Sequence, residues 1–286
     1  MAVDVGRTGI WCVSRAWPDD PGKAEAAASE LEGLGYGALW LGISRPSLQL
    51  PEMLLAATSS LAVATGIVSI WDAPAAELAA AYHRVADLFA DRFLLGIGAS
   101  HAHAAERAGQ QYRRPYSKVA AYLDGLDAAS APVPRDRRVV AALGPKMTTL
   151  AGQRSAGAHP YLTTPEHTQQ ARELLGPGPL LAPEQMVVLS ADPARARQIA
   201  RDALGFYLQA PNYIASLLRL GFTEEDISQA SARVIDALVA WGGEDAIRAR
   251  VQAHHQAGAD HVCVQVLTGE PGLPLAQWRA LAQLLA

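Results

Sequence analysis

Two short stretches and one aromatic cluster in this sequence combine residue types that can do chemistry. The first is Gly96-Ile97-Gly98-Ala99-Ser100-His101, which ends an apolar run. It resembles a dinucleotide-binding turn but lacks the third glycine and a tight helix start. No acidic residue ends a second strand about 20 residues later, so that reading fails. Two readings remain: small residues let a flat ring or a phosphate approach the backbone, or the glycine pair serves strand packing. His101 titrates near neutral pH, which suits it to donate a proton or contact a cofactor; a hydrogen-bonded loop histidine is the plain alternative. His101 and His103 form an H-x-H pair, but no HExxH and no carboxylate cluster accompany it, so no metal is expected. The second stretch is Gly144-Pro145-Lys146-Met147. Gly permits an unusual turn, Pro suits a helix start, and the free first-turn N–H groups with Lys146 make an anion site or an ordinary helix start. Trp71 can line a pocket or cover the rim. Tyr207, Asn212 and Tyr213, in FYLQAPNY, can close over a site or simply pack. The serines lack G-x-S-x-G, which removes support for a hydrolase triad. Trp11, Trp17 and Trp40 read as core or rim. His254 and His255 read as helix surface with no catalytic role.

The elements that must position these residues alternate in one rhythm. Strands are expected at Gly9–Val13, Ala38–Ile43, Val63–Ile70, Phe93–Ala99, Val139–Leu143, His159–Leu162, Gln185–Leu189 and His261–Leu267. Helices are expected at Lys23–Leu34, Pro51–Ser59, Ala75–Phe89, Tyr116–Ala129, Lys146–Ser155, Pro165–Leu174 and Leu275–Leu285. A long helical region from Pro193 to about Gln256, broken near Pro211, Gly221 and Gly242, precedes the last strand. The strands are continuous apolar runs, as parallel strands buried on both faces are. Eight strand–helix units predict a single (β/α)8 TIM barrel over residues 1–286, with a helical insertion between strands 7 and 8. Active sites of such barrels lie at the C-terminal strand ends. Here those are Val13–Trp17, Gly42–Ser47, Ser69–Pro74, Ala99–Glu106, Gly144–Met147, Pro160–Thr164, Ser190–Asp192 and Thr268–Pro271.

Composition narrows the class further. The 286 residues are 50% hydrophobic and 18% charged, with a formal net charge of −4. That supports a sizeable core and offers no basic stripe for nucleic acid. No apolar stretch approaches the roughly 20 residues of a membrane helix, and the N-terminus lacks a signal-peptide pattern. The two cysteines, Cys12 and Cys263, read as reduced structural thiols of a cytoplasmic protein.

With these residues in view, the chain resembles the luciferase-like oxidoreductase family, in particular its coenzyme F-420-dependent branch. The matching pieces run along nearly the whole chain: GIVSIWDAP, DRFLLGIGASH, YLDGLDA, VVAALGPKMTTLAGQRSAGAHPYLTTPEHT, GPGPLLAPEQMVVL, ARQIARDALGFYLQAPNY and AGADHVCVQVL. The resemblance implies a commonly dimeric barrel with a deazaflavin at its C-terminal mouth and hydride transfer to or from its C5. It implies a non-prolyl cis peptide in a bulge at the third strand, expected at Ser69–Ile70, behind the ring. It also implies cofactor contacts from Ala99, Ser100 and His101 and from Gly144, Pro145, Lys146 and Met147. Sugar-phosphate dehydrogenases of this kind carry an Asp-His pair after the second strand and a Glu after the fourth; Ile43, Ser44 and His101 fall near those places. The base for alcohol oxidation is thus missing. The expectation is reduction of an activated C=C or C=N bond of a small molecule or a peptide, with the proton from His101 or a tyrosine. An FMN-dependent monooxygenase, a cofactor-binding barrel with little catalysis and a metal-dependent hydrolase are the alternatives.

Overall fold

The computed structural model describes residues 3–89 and 91–285. Its strands are β1 (Thr8–Val13), β2 (Ala38–Gly42), β3 (Ala62–Thr65), β4 (Val68–Ser69), β5 (Phe93–Gly98), β6 (Arg138–Val140), β7 (Gly157–Ala158), β8 (Leu180–Leu181), β9 (Glu184–Leu189), β10 (Val239–Gly242) and β11 (Val262–Val266). They pair in parallel in the order β10-β9-β11-β1-β2-β3-β5-β6-β7-β8, with β4 continuing β3 against β5. The result is an α/β fold with a curled parallel sheet. The helices after the strands are α1 (Pro21–Gly33), α2 (Gln49–Ala56), α3 (Ala75–Phe89), α4 (Ala102–Arg107), α5 (Pro115–Asp127), α6 (Pro145–Arg154) and α7 (Pro165–Leu175). Then come α8 (Pro193–Leu204), α9 (Pro211–Arg219), α10 (Glu224–Ser228), α11 (Ala232–Leu238), α12 (Glu244–Gln256) and α13 (Leu275–Leu285).

Local chemistry explains the boundaries. Prolines open α1, α5, α6, α7, α8 and α9, where the missing N–H has no partner to lose. Asp20, Thr164 and Asp192 accept from first-turn N–H groups of α1, α7 and α8, satisfying donors that would otherwise be orphaned. Between sheet and helices lies a continuous apolar layer that includes Ile10, Leu39, Val63, Phe93, Leu95 and Val140. A smaller cluster inside the curl includes Trp11, Trp40, Ala64, Leu94 and Cys263.

Three expectations need correction. The region before the last strand is not wholly helical: Val239–Gly242 forms β10, parallel to β9 with Val239 opposite Met186. A four-residue apolar run sits below the length at which periodicity separates strand from helix. The sixth strand starts two residues earlier than expected, at Gly157–Ala158; inter-strand bonds continue through His159 and Pro160, and the run ends before Leu162, which turns left-handed (φ 59°). His254 is fully buried, bonded to Thr168 Oγ1 at 2.8 Å and Gln185 Oε1 at 2.9 Å, so it ties α12 to α7 and β9.

Candidate active site

The third strand is the first element to re-aim residues at the C-terminal edge. Ala64 pairs with Leu94, and four residues later Val68 pairs with Ile97, so β3–β4 carries one residue more than β5. That surplus is a bulge, and it contains the cis peptide Gly66–Ile67. Gly66 N–H donates to Leu41 O at 2.8 Å, and Ile67 O accepts from Ser44 N at 3.1 Å. The expected position, Ser69–Ile70, lies past the bulge: Ser69 is already back in register with Gly98, and Ile70 N–H donates to Gly98 O. Both side chains are buried, whereas Gly66 and Ile67 are half-buried.

The glycine pair of β5 serves this bulge. A Cβ on Gly96 would lie 1.9 Å from Thr65 O, and one on Gly98 would lie 2.9 Å from Ala141 Cβ and 3.2 Å from Ile67. Their missing side chains admit neighbouring strands, as the packing reading of the pair expects.

Beneath the bulge stands a column of rings that sequence reasoning left in the core. A Cβ on Gly66 would lie 2.7 Å from Trp11 Nε1 and 3.0 Å from His159 Nε2, two buried nitrogens without partners. His159 stacks on Trp40 at 4.3 Å, and its Nδ1–H donates to Ala182 O at 2.7 Å. His261 Nδ1–H donates to Gly6 O at 2.9 Å, which leaves its Nε2 to accept from Trp40 Nε1–H at 3.0 Å. Burial pushes both imidazoles down to about 4, so they are neutral here.

Past β5 the loop Ala99-Ser100-His101 forms one wall. Ala99 O accepts from Trp71 Nε1–H at 2.6 Å, and Ser100, left-handed at φ 51°, accepts from Tyr112 O–H at 3.2 Å. Trp71 is only 4% exposed and lies under Lys118, so it holds the loop from below and offers no free donor to a pocket. His101 is half-buried, with its ring 5.5 Å from Tyr213, 5.7 Å from Phe206 and 6.3 Å from Tyr207. Burial and then the neighbouring His103 lower its pKa, against a hydrogen bond to Asn212, as acceptor, that raises it.

The segment between β9 and β10 forms the roof. It brings Tyr207, Asn212 and Tyr213 together over His101, as their spacing allowed. Three partners were missed: Tyr161, Gln265 and Glu184. Tyr161 O–H bonds Gln265 Oε1 at 3.0 Å and the Tyr207 hydroxyl at 3.2 Å. Glu184 is buried below; its Oε2 accepts from Leu162 N–H at 3.1 Å, its Oε1 has no partner, and burial pushes its pKa up to about 8. A lone acid beside an apolar strand run, LLAPEQMVVL, was the available signal. Arg15, after β1, is close enough to Tyr207 to lower its pKa, against the stronger upward push of burial.

Gly144–Met147 starts α6 without a side-chain cap. Pro145 and Lys146 are exposed, and Met147 packs on the core. Arg219, unforeseen, donates to Leu143 O at 3.3 Å and lies 3.9 Å from where a Gly144 Cβ would be. Asn212 and Tyr213 occupy the other end of the same α9, so this helix links the His101 wall to the open α6 terminus.

The chain is similar to known proteins along most of its length. The family model described as luciferase-like monooxygenase matches residues 6–261. No curated protein sequence matches. The fold is that of the F-420-dependent tetrahydromethanopterin reductase from Methanopyrus kandleri, with 15% identity, 99% and 98% of the two chains covered and a TM-score of 0.74. An F-420-dependent secondary alcohol dehydrogenase in complex with an F-420–acetone adduct is similar at 13% identity, 98% of each chain and 0.72. The oxygenating constituent of 3,6-diketocamphane monooxygenase from Pseudomonas putida, in complex with FMN, is similar at 15% identity, 99% and 96%, and 0.63.

Proposed function

This chain belongs to the luciferase-like monooxygenase family, and from that premise we propose that it is a coenzyme F-420-dependent oxidoreductase reducing an activated C=C or C=N bond. We read the sheet as a (β/α)8 barrel. Ala182 and Glu184 N–H groups bond β7 and Pro160 on one edge, while Glu184–Val187 pair with β11 on the other. The segment with β10 is then the insertion over its mouth.

The observation that carries the reading is the Gly66–Ile67 bulge itself, which leaves both residues half-buried at the C-terminal edge between β2 and β5. A flat ring fits such a cradle. Ser69, Ile70, Ala99, Ser100 and His101 would flank it, and the α6 terminus at Gly144–Met147, with Lys146 and Arg219, would hold a phosphate. When bound, the deazaflavin supplies the hydride. The chain's own residues do the rest. Phe206, Tyr207 and Tyr213 cover the mouth and limit water, and His101 hands a proton to the substrate atom that receives no hydride. An FMN-dependent monooxygenase is the second reading, favoured by the family's own description and by the FMN complex among its structural relatives.

Oxidation of reduced F-420 by an enone, an imine or a dehydroamino-acid peptide tests the reaction. Turnover on one of them supports it. Oxygen consumption with reduced FMN, without F-420 oxidation, would move the protein to the second reading.

A further inference from the structure

Left-handed backbone at non-glycine residues recurs along the C-terminal edge of the sheet. Ile43 (φ 53°) follows β2, Ser100 (φ 51°) follows β5 and Leu162 (φ 59°) follows β7. Strain of this kind gathers at functional sites when the surroundings impose it. Ser100 and Leu162 have evident supports: Ser100 O accepts from Tyr112, and Leu162 N–H is held by Glu184 over a buried side chain. Ile43 differs. It is β-branched, the type that tolerates this region least, and the residue is 57% exposed. The neighbours pin its backbone. Ser14 Oγ–H donates to Gly42 O at 2.9 Å, Ser44 Oγ–H to Leu41 O at 2.7 Å, and Ser44 N–H to Ile67 O of the bulge at 3.1 Å. Gly or Asn would adopt this conformation with little penalty. Isoleucine is unfavourable here in both backbone and exposure.

The other exposed large apolar residues divide by place. Leu88, Tyr116 and Leu174 lie on the flanking helices α3, α5 and α7, and Leu218 lies on α9. Phe206, 54% exposed, sets its ring against His101 at 5.7 Å and His103 at 5.2 Å. The mouth therefore shows apolar surface from both β2 and the roof segment.

We propose that Ile43 is a specificity-determining residue: it forms an apolar wall of the substrate compartment beside the bulge, and the substrate carries an alkyl or aryl group that covers it. This rests on the mouth being the active site. An acceptor with a charged or strongly hydrated group at that position is rejected, because Ile43 can return none of its hydrogen bonds.

The test uses the F-420-loaded protein and the dye anilinonaphthalene sulfonate as an apolar aromatic probe. Wild type binds the dye. Ile43→Asn weakens that binding roughly five- to tenfold, from the loss of an apolar contact. The same variant has a higher melting temperature, because Asn accepts the left-handed backbone, and keeps its F-420 affinity within about twofold. Ile43→Leu retains dye binding. The proposal is overturned by absent dye binding to wild type, by equal dye affinity in Ile43→Asn, or by a fall in its melting temperature. Dissociation of an oligomer on substitution would also overturn it, marking Ile43 as a subunit contact. Failure of wild type to bind F-420 overturns the cofactor reading instead, while the dye and melting arms on the free protein still judge Ile43.

Discussion

His101 is held among aromatic rings, and that setting determines how it titrates. Its pKa lies below 6.5 because burial and His103 disfavour the imidazolium. If it supplies the proton, reduction rate rises as pH falls toward that lowered value and levels off below it. His101→Ala should cut turnover roughly 100-fold or more while F-420 affinity stays within about threefold; unchanged turnover would remove His101 from the chemistry. Glu184 makes a second prediction that needs no substrate. Its folded pKa of about 8 stands above the ordinary 4.5. The folded state therefore holds a proton that the unfolded chain has released, and stability falls as pH rises across that window and flattens beyond about 8. Glu184→Gln keeps an acceptor for Leu162 N–H and cannot ionise. Denaturant titrations should show it matching wild type near pH 4.5 and exceeding it, by roughly 1–3 kcal/mol, at pH 8 and above. A parallel loss in both proteins would show that Glu184 is not buried as described. The buried His159, His254 and His261, all shifted down, weaken both proteins alike in acid and cancel in the comparison. At this scale the sequence disclosed residues whose chemistry is self-evident, such as His101. It hid Glu184, Tyr161 and Gln265, because their roles come from contacts between strands far apart in the chain.

The elements were more legible than the side chains. Strand–helix alternation, proline starts and apolar runs place α1–α3, α5–α7, α13 and most strands to within a few residues, while β8, β10 and α4 were missed and α8–α12 were read as one helical region. The bulge was displaced by three residues because its position depends on the register between β3–β4 and β5, which no local pattern encodes. Gly96 and Gly98 show the same limit: a glycine reports close approach, and only the fold says by what. Gly66→Ala tests whether the shape of the bulge matters to the cofactor. The new Cβ would press from within on the buried rings of Trp11 and His159 at 2.7 and 3.0 Å and displace the bulge. F-420 affinity should fall at least about tenfold, with a lower melting temperature. Full affinity in a stable Gly66→Ala protein would place the ring elsewhere.

At the scale of the whole molecule, the resemblance read from the sequence agrees with the family match and with the shared fold. Neither chooses between cofactors, since a fold hosts many reactions and the similar structures include both F-420 and FMN proteins. We expect a homodimer, which sedimentation should show as twice the 30.3 kDa chain mass; a monomer at assay concentration would contradict it. Among the described residues no helix is long and apolar enough to cross a membrane. The central claim is the choice of a deazaflavin, and a fluorescence titration of the purified protein with F-420 and separately with FMN tests it most directly. Low-micromolar binding of F-420 with clearly weaker binding of FMN is the predicted result. Tighter binding of FMN than of F-420 would contradict it.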